Sequence, residues 1–223
     1  MTVSVTAHFR IAWRAFKTHR RVFIVSMLVL FASWASLELC VGTLHRFGVT
    51  LNVLLHVAFL WLFSGLMVGV HGMALDAVDG RVPRLSRLTA SLERGPAWLL
   101  AFCVYLLSVI GGLLLLVVPG VYVAARYALF GPVIATRAAT GLEALRSAGA
   151  LSHGRRWAMC RFVLAALALN VAGAALLGLG LVISFPVSLL AASSLFCTLQ
   201  HAPVASSAAR TDGASEPIRP GCP

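Results

Sequence analysis

The fold of this chain is decided by one apolar stretch, Pro96-AWLLAFCVYLLSVIGGLLLLVVPGVYVAARYALFGPVIAT-Arg137. A single straight helix over these residues would be roughly 60 Å long, about twice the thickness of the hydrocarbon core of a bilayer. The stretch therefore predicts two membrane spans that form a helical hairpin. Proline followed by glycine is a strong turn signal, so we expect the turn at Pro119-Gly120. The pair Gly131-Pro132 is expected to kink the second arm.

Apolar runs on both sides of this hairpin complete the set of spans. One run covers about residues 22–40, a second covers about 49–75, and the run 157–200 is long enough for two spans. Hydrophobic residues make up 60% of the 223 residues and charged residues only 11%, a composition too apolar for a soluble domain. The predicted fold is all-α, a polytopic transmembrane bundle of six helices that occupies residues 22–201.

Basic residues indicate how the spans are threaded. The 18 Lys and Arg residues fall mostly before span one, between spans two and three, between spans four and five, and after span six. The other connections between spans hold a single basic residue, Arg46, and Arg126 lies inside a span. Positive residues near span ends stay on the cytoplasmic side, so both termini are predicted to be cytoplasmic. The predominance of arginine over lysine indicates a bacterial source, and we expect a multi-pass protein of the bacterial inner membrane.

The net charge of +11 indicates a lipid partner rather than nucleic acid. The arginines sit beside membrane spans, where each is worth roughly 1 kcal/mol in attraction to anionic headgroups. No basic helix interleaved with aromatic residues projects from the spans, so we predict no nucleic-acid partner. The expected partner is the lipid bilayer with its anionic headgroups, and a membrane-protein partner or a homo-oligomer is a further option.

The two ends of the chain are predicted to lie outside the bundle. In residues 1–21, Phe9, Trp13 and Phe16 recur at helical spacing opposite basic residues, as in an amphipathic helix that lies in the membrane interface. The alternative is that this segment extends the first span into the cytoplasm. Residues 202–223 are rich in Ser, Ala and Pro, which predicts a disordered cytoplasmic tail.

Charged and polar residues inside the spans are the candidate functional residues, because such groups are costly in hydrocarbon. Glu38 is the one acidic residue inside a predicted span and Arg126 the one basic residue, and the predicted topology places both in the outer leaflet. We therefore predict an intramembrane ion pair between them, with snorkelling to the headgroups as the alternative. Asn52, His56 and Asn170 either line a transport pathway or form hydrogen bonds between helices.

The acidic residues after span two are the best candidates for catalysis. Asp79-Gly80-Arg81 begins like the D-G-x-x-A-R motif of transferases that use a CDP-alcohol, and His71 and Asp76 precede it closely. That motif needs two further aspartates to hold divalent metal ions, and only Glu93 follows. The sequence also lacks a Ser-His-Asp order, a nucleotide-binding loop and zinc spacing. We therefore expect no enzyme activity, no catalytic residue, no metal and no cofactor.

Two segments resemble a family of bacterial membrane proteins. The segment Pro119-Gly120-Val121-Tyr122, followed by Arg126-Tyr127, resembles an I-P-G-I-Y-L-x-x-R-aromatic pattern. Glu143-Ala144-Leu145-Arg146 and Ser152-His153-Gly154-Arg155-Arg156-Trp157 resemble the pattern E-A-L-R-R-S-W-x-L-T-R-G-x-x-W. These patterns belong to six-helix inner-membrane proteins that include the YciC-like proteins and the membrane domain fused to some glycerophosphodiester phosphodiesterases. The resemblance implies an integral inner-membrane protein of uncharacterised biochemical role.

Three classes of function are compatible with these features. The first, which we favour, is a non-enzymatic integral membrane protein that organises lipid or a membrane partner. The second is a small transporter or channel, for which the intramembrane polar residues and Gly131-Pro132 are the signals. The third and least favoured is a lipid-modifying enzyme that would use the aspartates near residue 79.

Overall fold

A computed structural model describes residues 4–44, 48–136, 140–176 and 180–208. This part of the chain is helical and contains no strand. The 3-10 turn Leu92–Arg94 joins the third helix to the fourth. The helices are α1 (Val5–Leu44), α2 (Val49–Val78), α3 (Ser86–Ala90), α4 (Gly95–Leu115), α5 (Val117–Tyr127), α6 (Phe130–Thr136), α7 (Gly141–Leu151), α8 (Arg156–Ala175) and α9 (Leu181–Ala208).

Six helical segments of the described chain are long and apolar enough to cross a membrane. They are Val5–Thr43, Val49–Val78, Leu92–Leu115, Val117–Thr136, Arg156–Ala175 and Leu181–Gln200. Large apolar side chains cover the outside of the bundle, as at Leu114 and Val118, which are 83% and 77% exposed. Such a surface is stable against lipid chains and unfavourable in water. The predicted all-α fold with six helices long and apolar enough to span a membrane is confirmed.

The helix at the centre of the bundle is α2. Its second half, residues 64–77, is buried because α1, α3, α4, α6 and α9 pack around it. Gly65 and Gly69 make close approach possible there. A Cβ at Gly65 would lie 2.8 Å from the Cα of Leu92, and a Cβ at Gly69 would lie 2.6 Å from the Cα of Leu88. This G-x-x-x-G pair therefore packs α3 and the first residues of span three onto α2.

The hairpin of spans three and four turns at Leu116, and the predicted turn at Pro119-Gly120 is wrong. Leu116 has extended backbone angles (φ −168°, ψ 151°) between the end of α4 and the start of α5. Pro119 and Gly120 lie in the first turn of α5, where proline is tolerated because an N–H there has no intrahelical acceptor. Gly120 instead allows the two arms to meet, since a Cβ would lie 2.6 Å from the side chain of Leu113.

Span four is broken near Gly131-Pro132, as the sequence predicts. Helix α5 ends at Tyr127 and α6 begins at Phe130. Pro132 cannot donate a backbone hydrogen bond to the preceding turn, which favours a break before it. Gly131 is required by packing, because a Cβ at this position would collide with the imidazole of His71 on α2.

The N-terminal segment is the first part of α1 and packs against the bundle. Helical geometry breaks at His19 (φ −113°, ψ 25°), close to the predicted boundary between residues 1–21 and the first span. Phe16 is only 5% exposed, and the ring of Phe9 lies 5.6 Å from that of Phe162 on α8. Contacts with α8 and α9 therefore cover Phe9 and Phe16, two of the three aromatic residues on the apolar face of this segment. This packing is what the alternative, an extension of the first span, would produce. The interfacial position of this segment stays a prediction.

The last helix continues beyond the predicted end of the bundle at residue 201, while its segment long and apolar enough to span a membrane ends at Gln200. The backbone of α9 is helical from Leu181 to Ala208, so the helix continues through the first residues of the expected tail, 202–223. Extension of a long packed helix is favourable because each added residue contributes a hydrogen bond without a new nucleation step. Residues 209–223 of the predicted disordered tail lie outside the described residues.

Candidate functional site

The two segments that carry the family resemblance meet at one pocket of about 140 Å³, which we call the basic pocket. Tyr122 and Arg126 come from α5, in the first segment. Ser152 and His153 follow α7, and Arg156 begins α8, all in the second segment. The fold thus brings together side chains that are separated in the sequence by two helices, α6 and α7.

Ser152 fixes the connection between α7 and α8 to the end of α5. Its hydroxyl group is shared between the carbonyl oxygens of Arg126 and Ala148, each at 2.9 Å. The Arg126 carbonyl belongs to the last turn of α5, where carbonyl oxygens lack an intrahelical donor, so Ser152 supplies the missing partner. Gly154 then allows a sharp turn into α8, because its φ of +79° is a conformation that suits glycine.

The arginines of the basic pocket are oriented by neighbouring aromatic rings. The guanidinium of Arg126 lies 5.5 Å from the ring centre of Tyr127, and that of Arg156 lies 5.6 Å from the ring centre of Tyr122. Gly149 leaves room for the first of these side chains, since a Cβ there would lie 3.3 Å from Nε of Arg126. Cation–π contacts of this kind orient a guanidinium without neutralising its charge.

The charge of the basic pocket is not balanced by a carboxylate of the described chain. The ion pairs of the described chain lie elsewhere, where Arg81 and Arg87 contact the aspartates at the end of α2. Arg126 and Arg156 make no ion pair with any described residue, and His153 lies beside them. A guanidinium presents planar donors that match the oxygens of phosphate. The arrangement therefore suits an anion, and phosphate above all.

Helix α7 delivers Ser152 to the basic pocket, and a capping box fixes where α7 begins. The hydroxyl of Thr140 accepts from the backbone N–H of Glu143 at 3.4 Å. In return the carboxylate of Glu143 accepts from the backbone N–H of Thr140 at 2.9 Å. This second bond stabilises the charged carboxylate and lowers the pKa of Glu143 below its ordinary value.

Glu38 and Arg126 do not form the predicted ion pair. Arg126 lies in the basic pocket because α5 packs against α4, α7 and α8. Glu38 is exposed on α1, which packs mainly against α2 and α9. The prediction matched the two residues by depth, counted along the chain from a hairpin turn that was itself misplaced. Similar depth does not make two helices neighbours, and here the helices have different partners.

The remaining polar candidates make hydrogen bonds within or between helices, and none lines the basic pocket. Nδ1 of His56 donates to the carbonyl oxygen of Asn52 at 2.7 Å, one turn earlier in α2. Asn170 joins α8 to α9, since its Nδ2 donates to the hydroxyl of Ser188 at 2.8 Å and its Oδ1 accepts from that of Ser184 at 3.2 Å. For Asn170 the alternative of a hydrogen bond between helices is confirmed.

The aspartates considered for catalysis are engaged by arginines. Nε and Nη2 of Arg87 contact the two carboxylate oxygens of Asp76, each at 3.0 Å. Arg81 lies 4.0 Å from a carboxylate oxygen of Asp76 and of Asp79. The bidentate pair ties α3 to the end of α2, which gives Asp76 a structural task.

A second and larger space, which we call the apolar cavity, has a volume of about 570 Å³ and lies between α1, α2, α4, α6 and α9. Aromatic and aliphatic side chains form most of its wall, and His71 is buried beside it. The sequence did not indicate this cavity, because its walls come from helices far apart in the chain. For the basic pocket a signal existed, since each family-like segment places an arginine beside an aromatic residue.

No protein-family model, curated protein or solved structure matches this chain. The geometry of the two sites is therefore the main evidence on function.

Proposed function

We propose that this chain is a non-enzymatic, multi-pass protein of a bacterial inner membrane that binds the phosphate of an anionic phospholipid in the basic pocket and thereby organises lipid around itself. The observation that carries the proposal is the meeting of Arg126 and Arg156 in one pocket with no carboxylate of the described chain beside them. Both arginines belong to the segments that resemble the family of six-helix inner-membrane proteins.

The chemistry of the basic pocket fits a phosphodiester. Two guanidinium groups offer charge-assisted hydrogen bonds to the two unesterified oxygens of the phosphate. The pocket also lies at the start of α8, and the free backbone N–H groups of the first turn of a helix favour an anion. A lipid headgroup would thus contact α5, the α7–α8 connection and α8 together.

The distribution of basic residues supports a site in the cytoplasmic leaflet, in contrast to the outer leaflet predicted for Arg126 from the sequence. The hairpin turns three residues earlier than predicted, and Ser152 bonds the carbonyl oxygen of Arg126, so Arg126 lies beside the connection that leads into span five. The segment that precedes span five, with Arg155, Arg156 and Arg161, is one of the regions that the charge pattern assigns to the cytoplasm. Under the same topology both termini are cytoplasmic. Anionic phospholipids of that leaflet would then reach the basic pocket laterally, within the membrane.

The proposal is tested by the lipids that stay bound to the protein. The protein is reconstituted in nanodiscs of phosphatidylglycerol and phosphatidylcholine, and lipids retained on release are identified by native mass spectrometry. Two lost arginine contacts at roughly 1 kcal/mol each predict that Arg126→Gln with Arg156→Gln retains phosphatidylglycerol about 30-fold less. Arg20→Gln with Arg21→Gln removes the same charge outside the pocket, where the attraction to headgroups fixes no single lipid, and should retain several-fold more phosphatidylglycerol than the pocket variant.

Two outcomes contradict the proposal. Equal retention by the pocket variant and the control would mean that phosphatidylglycerol does not bind there. Displacement of the lipid by millimolar inorganic phosphate would identify a small anion as the ligand in place of a lipid headgroup.

The alternative functions have weaker support. The break between α5 and α6 is a feature that transporters share. The apolar cavity, however, has mostly apolar walls and offers no polar pathway through the described residues. A metal-dependent lipid-modifying enzyme would need Asp76 as a ligand, and both of its carboxylate oxygens already contact Arg87.

A further inference from the structure

The apolar cavity has the size and the surroundings of a ligand site. Its volume of about 570 Å³ falls within the range of roughly 300 to 1,000 Å³ that is usual for small-molecule pockets. Phe31 and Trp34 line it and are 47% and 52% exposed, so its mouth opens on the outer surface of the bundle. This surface belongs to α1, within the first membrane-spanning segment. A molecule that enters there comes from the hydrocarbon layer.

The imidazole of His71 gives this wall a polar atom, Nε2, that forms no hydrogen bond with the described chain. His71 is only 6% exposed, and its Nδ1 donates to the carbonyl oxygen of Met67 at 2.8 Å. In a neutral imidazole whose Nδ1 carries the proton, Nε2 is an acceptor. Nε2 has no hydrogen-bond partner in the described part of the chain. Nε2 is therefore an unpaired acceptor, and a ligand that donates a hydrogen bond to it would gain that bond within an apolar wall.

A second unpaired group lies on the same side of the apolar cavity. Nε1 of Trp98 is buried and has no acceptor in the described chain. The Trp98 ring lies 5.8 Å from that of Phe130, and Gly131, the next residue, packs against His71. Trp98, Phe130 and His71 all line the cavity. Nε1 of Trp98 is covered by the protein, so the group that a ligand hydroxyl can bond in this wall is Nε2 of His71.

We propose that the apolar cavity binds a neutral long-chain lipid alcohol. Its hydrocarbon chain lies between the aromatic walls, and its hydroxyl group donates to Nε2 of His71. A charged headgroup does not fit, because no charged residue lines the cavity within the described chain. This site is independent of the proposed phosphate site, since the two share no lining residue.

The experiment compares two ligands that differ in their ability to donate. The purified protein is titrated with 1-oleoylglycerol and with methyl oleate, which has the same acyl chain and no hydroxyl group, and complexes are counted by native mass spectrometry. The native protein should bind one 1-oleoylglycerol about tenfold more tightly than methyl oleate. His71→Phe removes the acceptor and should bind both ligands equally. Trp98→Phe keeps the ring stack and the His71 acceptor, and should retain the full preference.

A cavity-filling pair of variants locates the site even if the His71 variant does not fold. Leu30 lines the cavity, and Leu30→Trp should weaken both ligands at least about tenfold. Leu28 faces outward on the same helix, so Leu28→Trp adds the same ring elsewhere and should bind as the native protein does. Equal affinity of the native protein for the two ligands overturns the role of His71. Native affinity in Leu30→Trp overturns the cavity as the site.

Discussion

Replacing Gly69 by alanine tests how closely α3 packs against α2. A Cβ at Gly69 would lie 2.6 Å from the Cα of Leu88 and 2.8 Å from the carbonyl oxygen of Arg87. Both are backbone atoms, so α3 must move away and strain the pair between Arg87 and Asp76. Overpacking of this kind costs about 1 to 3 kcal/mol. The better helix propensity of alanine offsets about 1 kcal/mol of that cost.

Gly72, about one turn later in α2, provides the matched control. A Cβ there would meet Nη1 of Arg87 at 3.7 Å, an ordinary van der Waals contact. Because the gain in helix propensity is the same for both variants, it cancels, and Gly69→Ala should be less stable than Gly72→Ala by about 1 to 3 kcal/mol. At roughly 2 to 4 °C per kcal/mol, their melting temperatures in detergent should differ by at least about 2 °C. Equal melting temperatures would refute the close packing of α3.

Three further measurements test other parts of the molecule. Asn170→Ala should lower the free energy of unfolding by about 0.6 to 1.7 kcal/mol, because the hydrogen bonds that join α8 to Ser184 and Ser188 on α9 are lost. An unchanged melting temperature would contradict this. The Thr140 backbone bond lowers the folded-state pKa of Glu143, so its stabilisation of α7 is complete above the unfolded pKa and is lost as the pH falls through the folded pKa. Hydrogen exchange of α7 should show this loss in the native protein and not in Glu143→Gln, and identical pH profiles would count against it. A cytoplasm-active reporter should work when fused after residue 210 and fail near Arg46; activity at Arg46 would overturn the topology.

The number of spans could be predicted because each span must supply its own run of about 20 apolar residues, whatever its neighbours are. The position of the turn could not, because Pro119-Gly120 suits a turn and the first turn of a helix equally well. Packing across the hairpin selects the helical position, because a Cβ at Gly112 would lie 2.8 Å from the Cα of Gly120. That contact has no signature in either segment alone.

The failure of the Glu38–Arg126 pair has the same physical origin. Charge type and depth along a span can be read from the sequence, and the neighbours of a helix cannot. Helix α7 returns to the bundle after span four, and Ser152 then closes the end of α5. Nothing in the local sequence marks this serine as the partner of a carbonyl oxygen in another helix.

The break in span four explains how one span serves two sites. Arg126 and Phe130 are four residues apart, so a continuous helix would place them on the same face. Because α5 ends at Tyr127 and α6 begins at Phe130, the two side chains are free to face in different directions. Arg126 lines the basic pocket with α7 and α8, and Phe130 lines the apolar cavity with α1, α2, α4 and α9. A shift of α6 relative to α5 would therefore change the cavity wall and leave the arginines of the basic pocket in place.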